Sequence, residues 1–168
     1  MDERVVRNYL ILGEGWKPKV YKDSLSIKTV GVGHNLTRED SPQRLFDIGA
    51  VYKDIEDGTR DLTNEQIFAL LDQDMLTAVR IAEHLFPRFH SFDDTRQTIL
   101  VDLAFNIAPD RLRGFHRMIE AINSNASDKW STAAHELEHS HWYHQVGQRG
   151  PRNVKALRTG IMPPFHGG

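Results

Sequence analysis

Apolar residues recur at helical spacing through almost the whole chain, and one stretch, residues 17–35, breaks the pattern. There Val20-Tyr21, Ile27 and Val30-Gly31-Val32-Gly33 alternate with polar residues and glycines, which predicts a small antiparallel sheet. Before it, Val5, Val6, Tyr9 and Leu10 form a helical stripe. Gly13 and Gly15, on either side of Glu14, are expected to end that helix. After it, Ser41-Pro42 opens a helix through Leu45, Phe46 and Ile48. Thr63 with Gln66 makes a capping box. Ile67, Leu70, Leu71, Met75, Ala78 and Ala82 then sustain a long amphipathic helix, stopped by Pro87. Residues 99–105 are apolar almost all round, as expected of the buried centre of a helical lobe. Phe115, Met118, Ile119 and Ile122 mark another helix, and Trp130, Ala133, Ala134, Leu137 and His141 the next. A last helix covers roughly 149–158. The fold class expected is α+β and predominantly helical. One domain over residues 1–168 would comprise a small sheet-containing lobe (about 15–62), a long connecting helix (63–83), and a larger helical lobe (1–14 and 84–168).

The chain has no cysteine, which excludes disulfides, cysteine zinc sites and thiol nucleophiles. Hydrophobic residues at 39% and charged residues at 26% exclude a disordered or membrane-embedded chain. No apolar run approaches 18 residues, so no stable membrane insertion is expected. The N-terminus carries acids among its first residues and does not read as a signal peptide, which suits synthesis in a cytoplasm. A net charge of -2 gives no reason to expect a nucleic-acid partner. No cofactor is called for, and a monomer is expected. The charge is nevertheless uneven. No acid follows Glu138, whereas Arg149, Arg152, Lys155 and Arg158 do, a local basic patch suited to acidic groups on a partner or within the fold.

Two carboxylates and a hydroxyl bracket the predicted hairpin. Glu14 ends helix one, Asp23 lies nine residues on, and Thr29 six after that. A helix terminus and a neighbouring hairpin can hold two carboxyl groups on opposite sides of a bound chain, which is what glycoside hydrolysis needs. One carboxyl, kept protonated, donates to the leaving oxygen; the other stabilises positive charge or helps activate water. Taken singly, acids beside turns are more often solvated turn residues.

The same stretch carries a longer pattern: Glu14-Gly15, Tyr21-Lys22-Asp23 and Thr29-Val30-Gly31-Val32-Gly33-His34. It resembles the signature of phage-type lysozymes, the glycoside hydrolases of phage endolysins. Leu103-Ala104-Phe105-Asn106 resembles the family's central helix, and Gly114-Phe115 the start of the following one. Trp142-Tyr143, Arg149, Arg152 and Arg158-Thr159-Gly160 resemble its C-terminal motif. The resemblance implies a lysozyme-like fold. It also implies a muramidase that cuts the β-1,4 bond between N-acetylmuramic acid and N-acetylglucosamine in peptidoglycan, in the periplasm or cell wall. Glu14 would be the general acid, Asp23 the second carboxylate and Thr29 the hydroxyl that holds the attacking water. His34 and Asn35 fall at the hairpin, His34 as structural support, both grouped with the substrate-binding residues. Phe105 is similar to the aromatic at the cleft floor. Met118 and Glu136 fall where the family contacts sugar or peptide. Arg149 and Arg152 would reach back toward the Glu14 end of helix one. The chain departs from the pattern at Ser26, where the family usually has glycine three residues after the aspartate, and it is less basic than many relatives.

One competing motif remains. His135-Glu136-Leu137-Glu138-His139 satisfies H-E-x-x-H on a predicted helix, the zinc-peptidase pattern. A catalytic zinc wants a third protein ligand. His141, His144 or His166 would have to supply it, none at the metzincin spacing. The pair also points away from the core stripe of its helix, so the expectation is no metal site. A protein of lysozyme fold that binds glycan without cutting it is the remaining alternative. Asp102, inside the apolar run, is expected to be a structural acid hydrogen-bonded to backbone or hydroxyl groups. Trp130 and Trp142 are expected in the core, and Trp16 near the cleft or the lobe junction.

Overall fold

The computed structural model describes residues 1–164. Two compact units divide the chain, one formed by Leu10–Thr77 and the other by Met1–Tyr9 with the chain from Ala78 on. The divisions fall inside two helices. Helix α1 (Glu3–Glu14) and helix α4 (Asn64–Leu85) each contribute residues to both units.

In the unit Leu10–Thr77, the interruption in helical spacing becomes a three-stranded antiparallel sheet in the order β1 (Lys17–Lys22), β2 (Lys28–Gly31), β3 (His34–Asn35). Tyr21 pairs with Thr29, Thr29 with Asn35 and Val30 with His34. β1 is an edge strand. Pro18 lacks the amide hydrogen that a further strand would need, and the exposed Lys17, Lys19 and Lys22 discourage one electrostatically. Gly15, at φ +84°, ends α1 in the left-handed region that glycine enters without a Cβ clash. Gly13 does not end the helix, which runs through it to Glu14.

Helix α2 (Ser41–Asp47) starts with proline in its first turn, as expected, but Phe46 is 75% exposed and takes no part in the core. Helix α3 (Tyr52–Asp57) follows, too short to leave a periodic signal. The capping box at the start of α4 forms as read. The Gln66 amide donates to Thr63 Oγ1 at 3.1 Å, and the Thr63 amide to Gln66 Oε1 at 3.0 Å. Val30, Leu36, Leu45, Ile67, Leu70 and Leu71 make the core of this unit. Beside them a buried polar network ties the sheet to α2 and α4. His34 Nδ1 lies 2.7 Å from Asp74 Oδ2, its Nε2 lies 2.8 Å from Ser41 Oγ, and Arg44 donates to Asp74 Oδ1 at 3.2 Å.

In the other unit, α5 (Asp94–Asn106) is capped by the Asp93 side chain, which accepts from the Arg96 amide at 2.9 Å. Residues Gln97 to Ala104 of α5 are all buried, so it is the central helix the apolar run predicts. The remaining helices are α6 (Pro109–Arg113), α7 (His116–Asn123), α8 (Lys129–Glu138), α9 (His141–Gln145) and α10 (Arg149–Thr159). α8 packs on α7 and α10, and α10 on α5. His141 is not part of the α8 stripe. α8 stops at Glu138 because the Ser140 side chain accepts from the Tyr143 amide and starts a new helix, which leaves His141 exposed. Trp142 is buried, with its indole N–H donating to Asn106 Oδ1 at 2.7 Å. Trp130 is half-buried against Phe92, under the Arg96 guanidinium.

Asp102 is fully buried, and its partners are neither backbone nor hydroxyl. Arg149 grips it in bidentate fashion at 2.7 and 3.0 Å, and Asn153 Nδ2 donates to it at 2.7 Å. Asn153 in turn accepts from the Tyr9 hydroxyl at 2.7 Å, which ties α1 to α5 and α10. A buried carboxylate requires such a counter-charge. The basic C-terminal residues are therefore partly consumed within the fold, Arg149 by Asp102 and Arg158 by Glu138 at 3.2 Å.

Candidate active site

Glu14, Asp23 and Thr29 all lie in the unit Leu10–Thr77. Glu14 is the last residue of α1, half-buried, with its carboxyl seated on Gly33. A Cβ at residue 33 would sit 2.6 Å from Glu14 Oε2 and 2.7 Å from its Cδ, closer than any real contact. Gly33 also takes φ +64°. The glycine between β2 and β3 thus both makes the turn and leaves room for the carboxyl.

Asp23 opens the β1–β2 turn. Its Oδ1 accepts from the Leu25 amide at 2.8 Å and the Ile27 amide at 2.9 Å, while its own amide donates to the Ile27 carbonyl at 3.0 Å. This is a local Asx arrangement that fixes the carboxylate against the backbone. Its other oxygen, Oδ2, accepts no hydrogen bond from a described residue. Ser26, at the departure from the family pattern, takes φ +62°, so the chain keeps here a conformation that glycine adopts more easily.

Thr29 is 4% exposed, and its Oγ1 donates to the Ile27 carbonyl at 2.9 Å. With its proton committed, the hydroxyl oxygen is left as an acceptor. Tyr21, directly opposite Thr29, is half-buried. Burial first, then the negative charges of Glu14 and Asp23, push its phenol above the ordinary range. Both carboxylates therefore act on one hydroxyl. Spacing marks Tyr21 and Gly33 only as parts of the motif; neither the charges that reach the phenol nor the carboxyl over the glycine leaves a local signal.

The other residues singled out divide between the units. His34 is 1% exposed with both ring nitrogens occupied by Asp74 and Ser41, an arrangement that braces the hairpin. Asn35 is half-buried, and its Oδ1 accepts from the Thr37 amide and hydroxyl at 2.8 and 2.6 Å. In the other unit, Phe105 is half-buried on α5, and Arg152 places its guanidinium carbon 5.6 Å from the Tyr9 ring centre. Met118 and Glu136 come together in a cleft of about 430 Å³ between α7 and the end of α8, alongside His116, Arg117 and His139.

The H-E-x-x-H pair lies on α8 with its two imidazoles exposed, 4.2 Å between ring centres. His139 Nδ1 donates to the His135 carbonyl at 2.8 Å, which leaves one nitrogen of that ring for a ligand. Among the described residues no three His, Asp or Glu side chains are grouped so that they could hold a metal ion. His166, one possible third ligand, lies outside the described residues.

A predominantly helical chain with one small antiparallel sheet, whose first turn holds an aspartate and whose second turn seats a helix-terminal glutamate, has a lysozyme-like fold. Residues 12–159 match the phage lysozyme family, and the chain belongs to it. It is similar to two proteins of Dictyostelium discoideum, probable T4-type lysozyme 1 and probable T4-type lysozyme 2, with 25% and 23% identity. Each match covers 95% of this chain and 97% of the relative. It is also 26% identical to part of the pre-baseplate central spike protein Gp5 of Enterobacteria phage T4, over 90% of this chain and 27% of that protein. No helix of the described residues is long and apolar enough to cross a membrane.

Proposed function

We propose that this chain is an inverting muramidase, hydrolysing the β-1,4 bond between N-acetylmuramic acid and N-acetylglucosamine in peptidoglycan. The observation that carries the reading is the joint geometry of one small sheet: the Glu14 carboxyl on Gly33 in the β2–β3 turn, Asp23 fixed by the β1–β2 turn, and Thr29 on β2 with its proton already donated. Protonated Glu14 gives its proton to the glycosidic oxygen as the bond to the anomeric carbon breaks. A water attacks that carbon from the opposite face and loses a proton to Asp23. The water has two hydrogens and two acceptors to meet them, Asp23 Oδ2 and Thr29 Oγ1, so its lone pair is directed at the anomeric carbon. If Asp23 were itself the nucleophile, a buried acceptor at position 29 would have no evident use.

On this reading Phe105, Met118, Glu136 and Asn35 contact sugar or peptide, and Arg149 and Arg152 support the Glu14 end of α1. The enzyme acts as a monomer on the cell wall, in lysis, with no cofactor. Proton NMR of the first reducing ends released from peptidoglycan tests the mechanism. Inversion predicts initial appearance of the α-anomer with N-acetylmuramic acid at the new reducing end. Initial release of the β-anomer would show retention, for which the two carboxyls need a gap of only about 5–5.5 Å, against roughly 6.5–9.5 Å for inversion.

A further inference from the structure

Tyr21 is half-buried beside the proposed acid and base, yet its hydroxyl makes no hydrogen bond to a described residue. Its ring is well fixed. It stands opposite Thr29 in the β1–β2 ladder, and Lys17 Nζ lies 4.2 Å from its centre. Directly paired residues project from the same face of a sheet, and so do residues two apart in extended chain. The ladder continues past β1 through the bond from the Asp23 amide to the Ile27 carbonyl, so Tyr21, Asp23 and Thr29 share one face. The charged groups that face the phenol are Glu14 at the end of α1 and Asp23 and Lys17 around β1.

Tyrosine hydroxyls removed from water as a rule find a partner, because an unpaired polar group loses its hydration without compensation. Here burial first, then the two nearby carboxylates, oppose ionisation, so the hydroxyl remains a proton donor across the ordinary pH range. Neither carboxylate is bonded to it. A donor on the sheet face that carries Asp23, near enough to Glu14 to feel its charge, is presented to whatever chain lies between the two carboxylates.

We infer that Tyr21 is a further substrate-contact residue, whose hydroxyl donates a hydrogen bond to a glycan oxygen at the bond being cleaved. This rests on the muramidase reading. The ring would orient the sugar, and the single donated proton would favour the register in which the anomeric carbon faces the water held by Asp23 and Thr29.

Tyr21→Phe tests it, since the change keeps the ring, the Lys17 contact and the strand packing. On purified peptidoglycan kcat/KM should fall about tenfold, as expected for one hydrogen bond to substrate. In Glu14→Gln protein carrying ¹³C-labelled tyrosine, the Tyr21 Cζ resonance is assigned by its loss in the Tyr21→Phe, Glu14→Gln double variant. It should shift when a tetrasaccharide of alternating N-acetylglucosamine and N-acetylmuramic acid saturates the site. A kcat/KM within twofold of wild type, or an unmoved resonance at saturation, overturns the role of Tyr21 while leaving the muramidase reading intact. Wild-type protein that neither cuts peptidoglycan nor binds the tetrasaccharide overturns both together.

Discussion

Ser26 carries the clearest local strain. Among the described residues it is the one non-glycine residue at positive φ, +62°. A side chain in that region costs about 1–2 kcal/mol, while glycine adds about 0.5–1 kcal/mol of backbone entropy to be lost on folding. Ser26→Gly should therefore stabilise the protein by roughly 0.5–1 kcal/mol, read as a rise in denaturant midpoint with unchanged slope. A lower midpoint would show that the hairpin gains more from the serine than its backbone loses. Tyr9 makes the opposite kind of contribution. Burial first, then the charge of Asp102, push its phenol up to about 12 from an ordinary 10.0. The unfolded chain releases that proton earlier than the folded one, so the stabilisation is complete below pH 10 and is lost as pH rises through about 12. Two pH units correspond to about 2–3 kcal/mol at about 1.4 kcal/mol per unit. Unfolding followed from pH 9 to 12 should show this fall in the wild type and a flatter profile in Tyr9→Phe; parallel profiles would contradict the assignment. Individual residues with local partners, such as Thr63 with Gln66, were legible in the sequence. Asp102 was flagged as needing partners, but the ones it has lie 47 and 51 positions away, beyond any local pattern.

At the scale of elements, the break in periodicity located the sheet, and the glycines in it marked the turns. Spacing could not reveal that one glycine also faces a carboxyl across a gap of 19 residues. Gly33→Ala separates the two duties. The new methyl must displace Glu14 or move itself, and the flexible end of a glutamate yields more readily than backbone. The fold should persist with a loss of about 1–2 kcal/mol from the left-handed φ. Activity on peptidoglycan should fall at least tenfold, because a proton donor moved by about an ångström no longer meets the leaving oxygen. Near-wild-type turnover in folded Gly33→Ala would mean that Glu14 does not act from this position. Short elements were the least legible. α3 has six residues and α9 five, less than two helical turns each, and a single serine cap at residue 140 decides where one stripe ends and another begins.

For the whole molecule, the α+β architecture followed from two periodicities and a helix apolar on every side. The two units divide within continuous helices, where the sequence pattern has no break to mark them. The basic C-terminal residues are partly paired within the fold, so the functional claim rests on the geometry of one small sheet and the helix end beside it, more than on any broad field. That claim is that Glu14 delivers the proton that breaks a glycosidic bond. The direct measurement is release of reducing ends from purified peptidoglycan by wild type and by Glu14→Gln, with the folded state of both checked by circular dichroism. Glutamine has nearly the same shape and cannot donate the proton, so the account predicts activity in the wild type and a loss of about 10²–10⁴-fold in a folded Glu14→Gln protein. Equal release by the two proteins would contradict it.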